Sequence, residues 1–262
     1  MKNAHTVSRG GARRLRSCQT NRRWAEQALV AVHRRDFSRL RFSILAGGGE
    51  MHLFGPALVE AARTWAAGVR TILELGSSAD GGSPGSASPL VAAICSNRRG
   101  RGRRVSLLLA GGAKPDLAGR DGNTPLIEAA LAGSTDIVRQ LLNRSADINH
   151  RNRLGESALT SAVAWRHYAV AEQLLRAGAD PDASDKRGGT ALMLAAMRGQ
   201  RRMVELLLAY GARPERLDAA GNNAAKHAVW YGRRSIAARL EAGVGDQAIK
   251  ALRRVNPNPR RG

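Results

Sequence analysis

The stretch DGNTPLIEAALAG (121–133) decides the fold because the chain repeats it. Thirty-three residues later it reads LGESALTSAVAWR (154–166), and after 33 more RGGTALMLAAMRG (187–199). Gly122, Gly155, Gly188 and Gly221 form one column at this spacing, and Thr124, Ser157, Thr190 and Asn223 form a second. The pairs Leu141–Leu142, Leu174–Leu175 and Leu207–Leu208 form a third. Columns in phase at a fixed period are the signature of stacked structural units. Met once, the glycines, the Asp and the hydroxyl would suit a phosphate loop. Met repeatedly, they read as scaffolding.

Each unit obeys the same local physics. The glycine two residues before Thr or Ser permits the positive φ of a tight turn. Thr124, Ser157, Thr190 and Asn223 are expected to cap a helix N-terminus by accepting a backbone N–H. Pro125 falls at the first helical position, where a missing N–H breaks no bond. Leu126, Ala129 and Ala130 share one helix face at i, i+3, i+4, and the paired alanines let a neighbouring helix approach closely. Gly133, Gly199 and Gly232 are expected to end this helix as left-handed caps. A second helix follows, Thr135–Asn143 in the first copy, with Ile137, Val138, Leu141 and Leu142 apolar. A Gly/Ser-Ala-Asp turn then leads into an extended finger and the next unit.

Over 121–215 the segments GNTPLIEAALAG…IVRQLLNRSADIN, GESALTSAVAWR…VAEQLLRAGADPD and GGTALMLAAMRG…MVELLLAYGARPE resemble the ankyrin repeat. That resemblance implies an all-α ankyrin-repeat solenoid of stacked helix-turn-helix units with β-hairpin-like finger loops. Two departures stand out. The family's box histidine is replaced by Ile127, Thr160, Met193 and Lys226, so the usual His-to-Thr turn hydrogen bond is expected to be missing. Arg166 replaces the mid-repeat glycine and Ser145 the later one, which is expected to loosen those turns.

The pattern extends outward as one expected array over 24–245, with units near 24–50, 55–80, 86–116, 121–149, 154–182, 187–215 and 220–245. SPLVAAICSNRRGRGRRVSLLLAGGAKPD (88–116) fits a unit with three extra residues in its inter-helix turn, the insertion being the basic run Arg98–Arg104. GGSPGSAS (81–88) reads as an irregular finger. Residues 1–23 and 246–262 are polar, basic and aperiodic and read as disordered tails.

Aromatics make up only 4% of 262 residues, which favours many small packing units over one large core. No stretch approaches the roughly 18 apolar residues of a membrane span, so no membrane partner is expected. MKNAHTVSRGGARRLRSCQTNRRW (1–24) is basic without an apolar core and is not an evident secretory signal, so a cytoplasmic chain with reduced Cys18 and Cys95 is expected. Secretion by another route, as an effector that uses the array to target host proteins, is kept as an alternative. Net charge is +21, and 37 of the 42 basic residues are arginine. Such an excess attracts anionic partners in general; GC-rich codon usage produces the same composition.

No catalytic constellation is present. The six histidines are scattered, with no HxxxH, HExxH or CxxC spacing and no GxSxG or GxxxxGK[ST]. AGGGE (46–50) and AGGAK (110–114) follow helical leucine runs rather than strands, so they read as helix caps. No cofactor, metal or enzymatic activity is expected.

An ankyrin-type stack leaves the finger tips and the concave face of the first helices for partners. The tip candidates are Arg120, Asp121, Asn123, Arg153, Leu154, Glu156, Lys186 and Arg187. The concave candidates are Glu128, Leu131, Ala132, Ser161, Ala164, Trp165, Leu194, Met197, Arg198, His227, Trp230 and Tyr231. Trp165, Met197, Trp230 and Tyr231 are residue types that interfaces prefer; rings that fill gaps between units or cover the last one are the structural alternative. Arg98, Arg99, Arg101, Arg103 and Arg104 form a candidate anion-binding loop, with a solvated, tolerated insertion as the other reading. The expected function is non-catalytic binding of a protein partner by a monomer. Nucleic-acid or anionic-surface binding through the N-terminal tail and this loop is the alternative.

Overall fold

The computed structural model describes residues 23–46, 54–81, 88–119 and 121–241. The expected tails, the finger tract 82–87 and candidate Arg120 lie outside them. The described residues form fourteen helices and a single isolated β-bridge, between Ser184 and Thr190. An all-α repeat solenoid is what the sequence period implies and what the helix order shows.

The chain divides into two compact units, Met1–Leu117 and Ala118–Gly262. The first contains α1 (23–34), α2 (Phe37–Ala46), α3 (Gly55–Thr64), α4 (Ala66–Glu74), α5 (Pro89–Cys95) and α6 (Arg101–Ala110). Helix α3 packs on α5, and α4 on both α2 and α6. Leu58, Ile72, Leu90, Ile94 and Leu108 fill its core and are fully buried.

The second unit carries four helix pairs: α7 (Pro125–Leu131) with α8 (Thr135–Leu142), α9 (Ala158–Ala164) with α10 (Tyr168–Arg176), α11 (Ala191–Met197) with α12 (Arg201–Ala209), and α13 (Ala224–Trp230) with α14 (Arg234–Glu241). The first helices stack in order α7, α9, α11, α13, and the second helices pack as α8, α10, α12. Short first helices rich in alanine permit this close spacing. Ala129, Ala130, Ala162, Ala195, Ala196 and Ala228 have no exposed surface.

The caps are in place in all four pairs. Ile127 N donates to Thr124 Oγ1 at 3.4 Å, Thr160 N to Ser157 Oγ at 3.3 Å, Met193 N to Thr190 Oγ1 at 3.3 Å and Lys226 N to Asn223 Oδ1 at 2.9 Å. Each such cap stabilises its helix by about 1 kcal/mol. In α9 the absent histidine is replaced by Thr160, whose Oγ1 accepts from Ser157 N at 2.8 Å and donates to Ser157 O at 2.9 Å. The turn therefore keeps a side-chain clasp without the family's histidine.

The two substituted glycines hold the backbone that glycine would have held. Arg166 sits at φ 60°, beside Gly133 at 66°, Gly199 at 70° and Gly232 at 72° in the same column. Ser145 sits at φ 57°, against 95° for Gly178 and 90° for Gly211. The turns are strained rather than remodelled, because packing on both sides fixes the chain direction.

Candidate functional site

The fingers of the second unit are built on one side chain each. Asn152 Oδ1 accepts from Leu154 N and Glu156 N, both at 2.9 Å. Asp185 Oδ1 accepts from Arg187 N and Gly189 N, both at 2.8 Å, and Asp218 Oδ1 from Ala220 N and Asn222 N, both at 2.9 Å. Successive fingers are joined by backbone rungs. Arg153 N donates to Asp121 O at 3.2 Å, Lys186 N to Leu154 O at 3.3 Å and Ala219 N to Arg187 O at 2.8 Å. These rungs explain three of the four glycines in the column; Gly221, in the last finger, meets nothing within 4 Å. A Cβ on Gly155 would stand 2.7 Å from Lys186 N, and one on Gly122 would stand 2.9 Å from Arg153 N. The glycines thus provide close approach as well as positive φ. With their backbone committed, Arg153, Leu154, Lys186 and Arg187 present exposed side chains along the finger edge.

Between the fingers and the first helices lies an open cavity of about 430 Å³. Seven of the candidates singled out from the sequence meet in it: Glu156, Ala164, Arg187, Leu194, Met197, Arg198 and His227. Three consecutive helix pairs supply them. Met193, Leu194 and Met197 give an apolar floor, and the walls are charged. Asp185, Asp218, Thr160, Thr190 and Met193 also line it and were not anticipated. The two aspartates and Asn152 share a column at the repeat spacing, which was the signal available for them.

The charges on the walls are held in place. His227 Nε2 lies 2.8 Å from Asp218 Oδ2, and the His227 ring meets Trp230 edge-on at 5.7 Å between centroids. The backbone N–H of Asn222, followed by His227, holds the Asp218 carboxyl below the usual carboxylate range. Glu156 Oε2 accepts from Asn152 Nδ2 at 3.0 Å, and Arg198 Nη1 donates to Ala164 O.

Other candidates fall elsewhere. Asn123 bridges Glu128 Oε1 and Asn152 Nδ2, each at 2.9 Å, so Asn123 and Glu128 are tied into the finger ladder. Asp121 and Ala132 are exposed and Leu131 is half-buried. Ser161 is buried, contrary to its placement among concave surface positions, because it follows the packed face of α9. Trp165 and Tyr231 are 64% and 56% exposed at the ends of α9 and α13, outside the cavity lining, and Trp230 is 66% exposed. The reading in which these rings fill gaps between units does not hold for side chains this exposed.

The basic run of the first unit divides in a way the sequence did not indicate. The inter-helix turn is 96–100, and α6 already begins at Arg101. Arg98, Arg99 and Arg103 are exposed, while Arg101 donates to Ile94 O at 3.3 Å. Arg104 is corrected outright: it is 2% exposed and is no anion ligand. Its Nε donates to Ala62 O at 2.7 Å, Nη1 to Arg99 O at 2.8 Å, and Nη2 to Ser96 Oγ at 3.0 Å and Arg98 O at 3.3 Å. Ser96 Oγ in turn donates to Arg63 O at 2.6 Å. A guanidinium here satisfies carbonyls at the end of α3, where the helix dipole favours a cation. Burial, and then Arg101 and Arg98, push its pKa down.

Among the described residues no helix is long and apolar enough to cross a membrane, and no group of His, Cys, Asp and Glu is arranged to hold a metal ion. Stacked helix pairs, capped boxes and laddered fingers define an all-α repeat protein of the interaction-module class. The family model for ankyrin repeats in three copies matches residues 90–185 and 172–244, together more than half of the chain. The chain belongs to the ankyrin-repeat family. No curated protein matches it.

Proposed function

We propose that this is a non-catalytic interaction protein that holds a segment of a protein partner between its fingers and first helices. Ankyrin repeats are in general protein-interaction modules. The observation that carries the reading is the cavity of about 430 Å³ in which three consecutive helix pairs place an apolar methionine–leucine floor beneath charged walls. Such a site takes an apolar side chain and orients it by the polar groups around it. The finger rungs and turn clasps fix the walls before binding, so little ordering entropy is lost on docking. Arg153, Leu154, Lys186 and Arg187 extend the contact along the finger edge. The protein acts as a monomeric scaffold or adaptor in the cytoplasm.

The test is affinity capture with the full chain, run beside Met197→Glu and Arg187→Glu. A partner retained by the native chain and released by both variants, with helical circular dichroism unchanged, supports the groove. Retention of every captured protein by both variants would sink it.

A further inference from the structure

The edge of the second unit where each first helix turns into the second carries a different surface. An open cavity of about 380 Å³ lies there, lined by Arg166, Tyr168, Gly199, Gln200, Arg201, Arg202 and Met203. Arg202 is held with its Cζ 4.8 Å above the Tyr168 ring and by a side-chain hydrogen bond to Tyr168, which fixes where its remaining N–H groups point. The side chain of Arg233 lies across Gly199: a Cβ there would be 2.9 Å from Arg233 Nε. Arg234 is exposed beside it. Of these arginines only Arg201 has a carboxylate among the described residues, Glu205 at 3.4 Å, which Arg239 shares at 3.2 Å. Arg166 stands in the left-handed conformation that its column reserves for glycine.

The same edge carries the exposed rings Trp165 and Tyr231, one residue and two residues before Arg166 and Arg233 in sequence. They occupy one column two repeats apart. At 8–10 Å per packed helix, that separation is about 20 Å, or roughly six stacked nucleotides at 3.4 Å each. Guanidinia that track a backbone, interleaved with free aromatic faces, are the means by which proteins hold unpaired bases. Tryptophan, tyrosine and arginine are also residue types that protein interfaces prefer, and a polyglutamate competitor is the arm that separates the two.

We infer that this turn edge binds single-stranded nucleic acid, with Arg166, Arg202 and Arg233 on phosphates and Trp165 and Tyr231 stacked on bases. The edge adjoins the finger groove, since Arg198 of the groove stands between Trp165 and Tyr231 in their column, but none of the five residues named lines the groove and the inference does not depend on it. It is also distinct from the Arg98–Arg103 run.

The test is fluorescence anisotropy of a labelled single-stranded oligonucleotide of about 12 nucleotides, as DNA and as RNA, titrated with the full chain. Between about 50 and 200 mM salt, three phosphate contacts at roughly −0.7 each give a log–log slope near −2. The triple variant Arg166→Gln/Arg202→Gln/Arg233→Gln flattens the slope by about 2 and weakens binding roughly tenfold or more. Trp165→Ala/Tyr231→Ala weakens binding at least about tenfold with the slope unchanged. All five side chains lie outside the core, and circular dichroism checks that both variants fold. Binding that neither variant changes places the contact elsewhere and overturns the inference. So does a polyglutamate chain that competes as well as the oligonucleotide, or a duplex that binds equally tightly with the aromatic variant unaffected.

Discussion

Two inter-helix turns solve one problem with different side chains. After α9 the turn is three residues long; Arg166 takes a left-handed backbone and Gln200, from the next helix pair, donates to Val163 O at 3.0 Å. After α7, His167 does the same for Leu131 O at 3.1 Å. After α5 the turn has five residues, and the buried guanidinium of Arg104 gathers the carbonyls of Ala62, Arg98 and Arg99. In these two regular pairs the turn is closed by a side chain lent by the next pair. Arg104 likewise serves the preceding pair through Ala62 O, but its longer turn adds the carbonyls of Arg98 and Arg99, and a donor with several N–H groups in a fan is needed for all three.

The sharpest way to break that contrast is Arg104→Ala. It strands the buried Ala62 carbonyl and removes the bonds to the half-buried carbonyls of Arg98 and Arg99, and the expected loss is about 3 kcal/mol, read as a lowered urea midpoint. Arg104→Lys should not restore it, because one ammonium cannot reach the whole fan. A midpoint unchanged by Arg104→Ala would show that water satisfies the turn equally well.

Next in size is a pair of glycine substitutions. Gly178→Ala meets nothing within 4 Å and carries only the left-handed backbone penalty, about 1–2 kcal/mol. Gly155→Ala carries the same penalty and also drives a Cβ to within 2.7 Å of Lys186 N. It should therefore be the more damaging of the two in thermal melts; equal losses would mean the finger rungs contribute nothing.

Arg166→Gly runs the other way. Relief of the strained backbone should raise stability by up to about 1 kcal/mol, less the extra freedom glycine gives the unfolded chain. If the edge binds nucleic acid, the same change weakens that binding, so stability and affinity move in opposite directions. Smallest is a pH effect. The folded-state pKa of Asp218 lies below its unfolded value, so its contribution is present above about pH 3.9 and is lost as pH falls through the folded value. Acid titration of the native chain against Asp218→Asn should show a shallower loss below pH 4 in the variant.

Much of the second unit was legible because its determinants are local. Thr124 caps, Gly122 turns and Leu126 packs wherever the period puts them, and each acts within a few residues of its own position. The first helix pair and the insertion near residue 96 were visible as departures from the period. The role of Arg104 was not, since Ala62 lies 42 residues away and no spacing rule joins them. The cavity residues Asp185 and Asp218 were passed over for a related reason: as isolated finger residues they read as turn formers, and only the stacked fingers turn their second oxygens into walls.

The 33-residue period by itself determined that helix pairs stack, where they begin and which faces pack, because caps, glycine dihedrals and apolar spacing are properties of short segments. Which arginines are structural and which face solvent was decided only by the tertiary structure. Arg104 and Arg103 are adjacent in a run that reads as uniform, yet one is buried and the other exposed. A guanidinium is retained in the interior when unpaired carbonyls converge on it, and that convergence exists only once distant helices have packed.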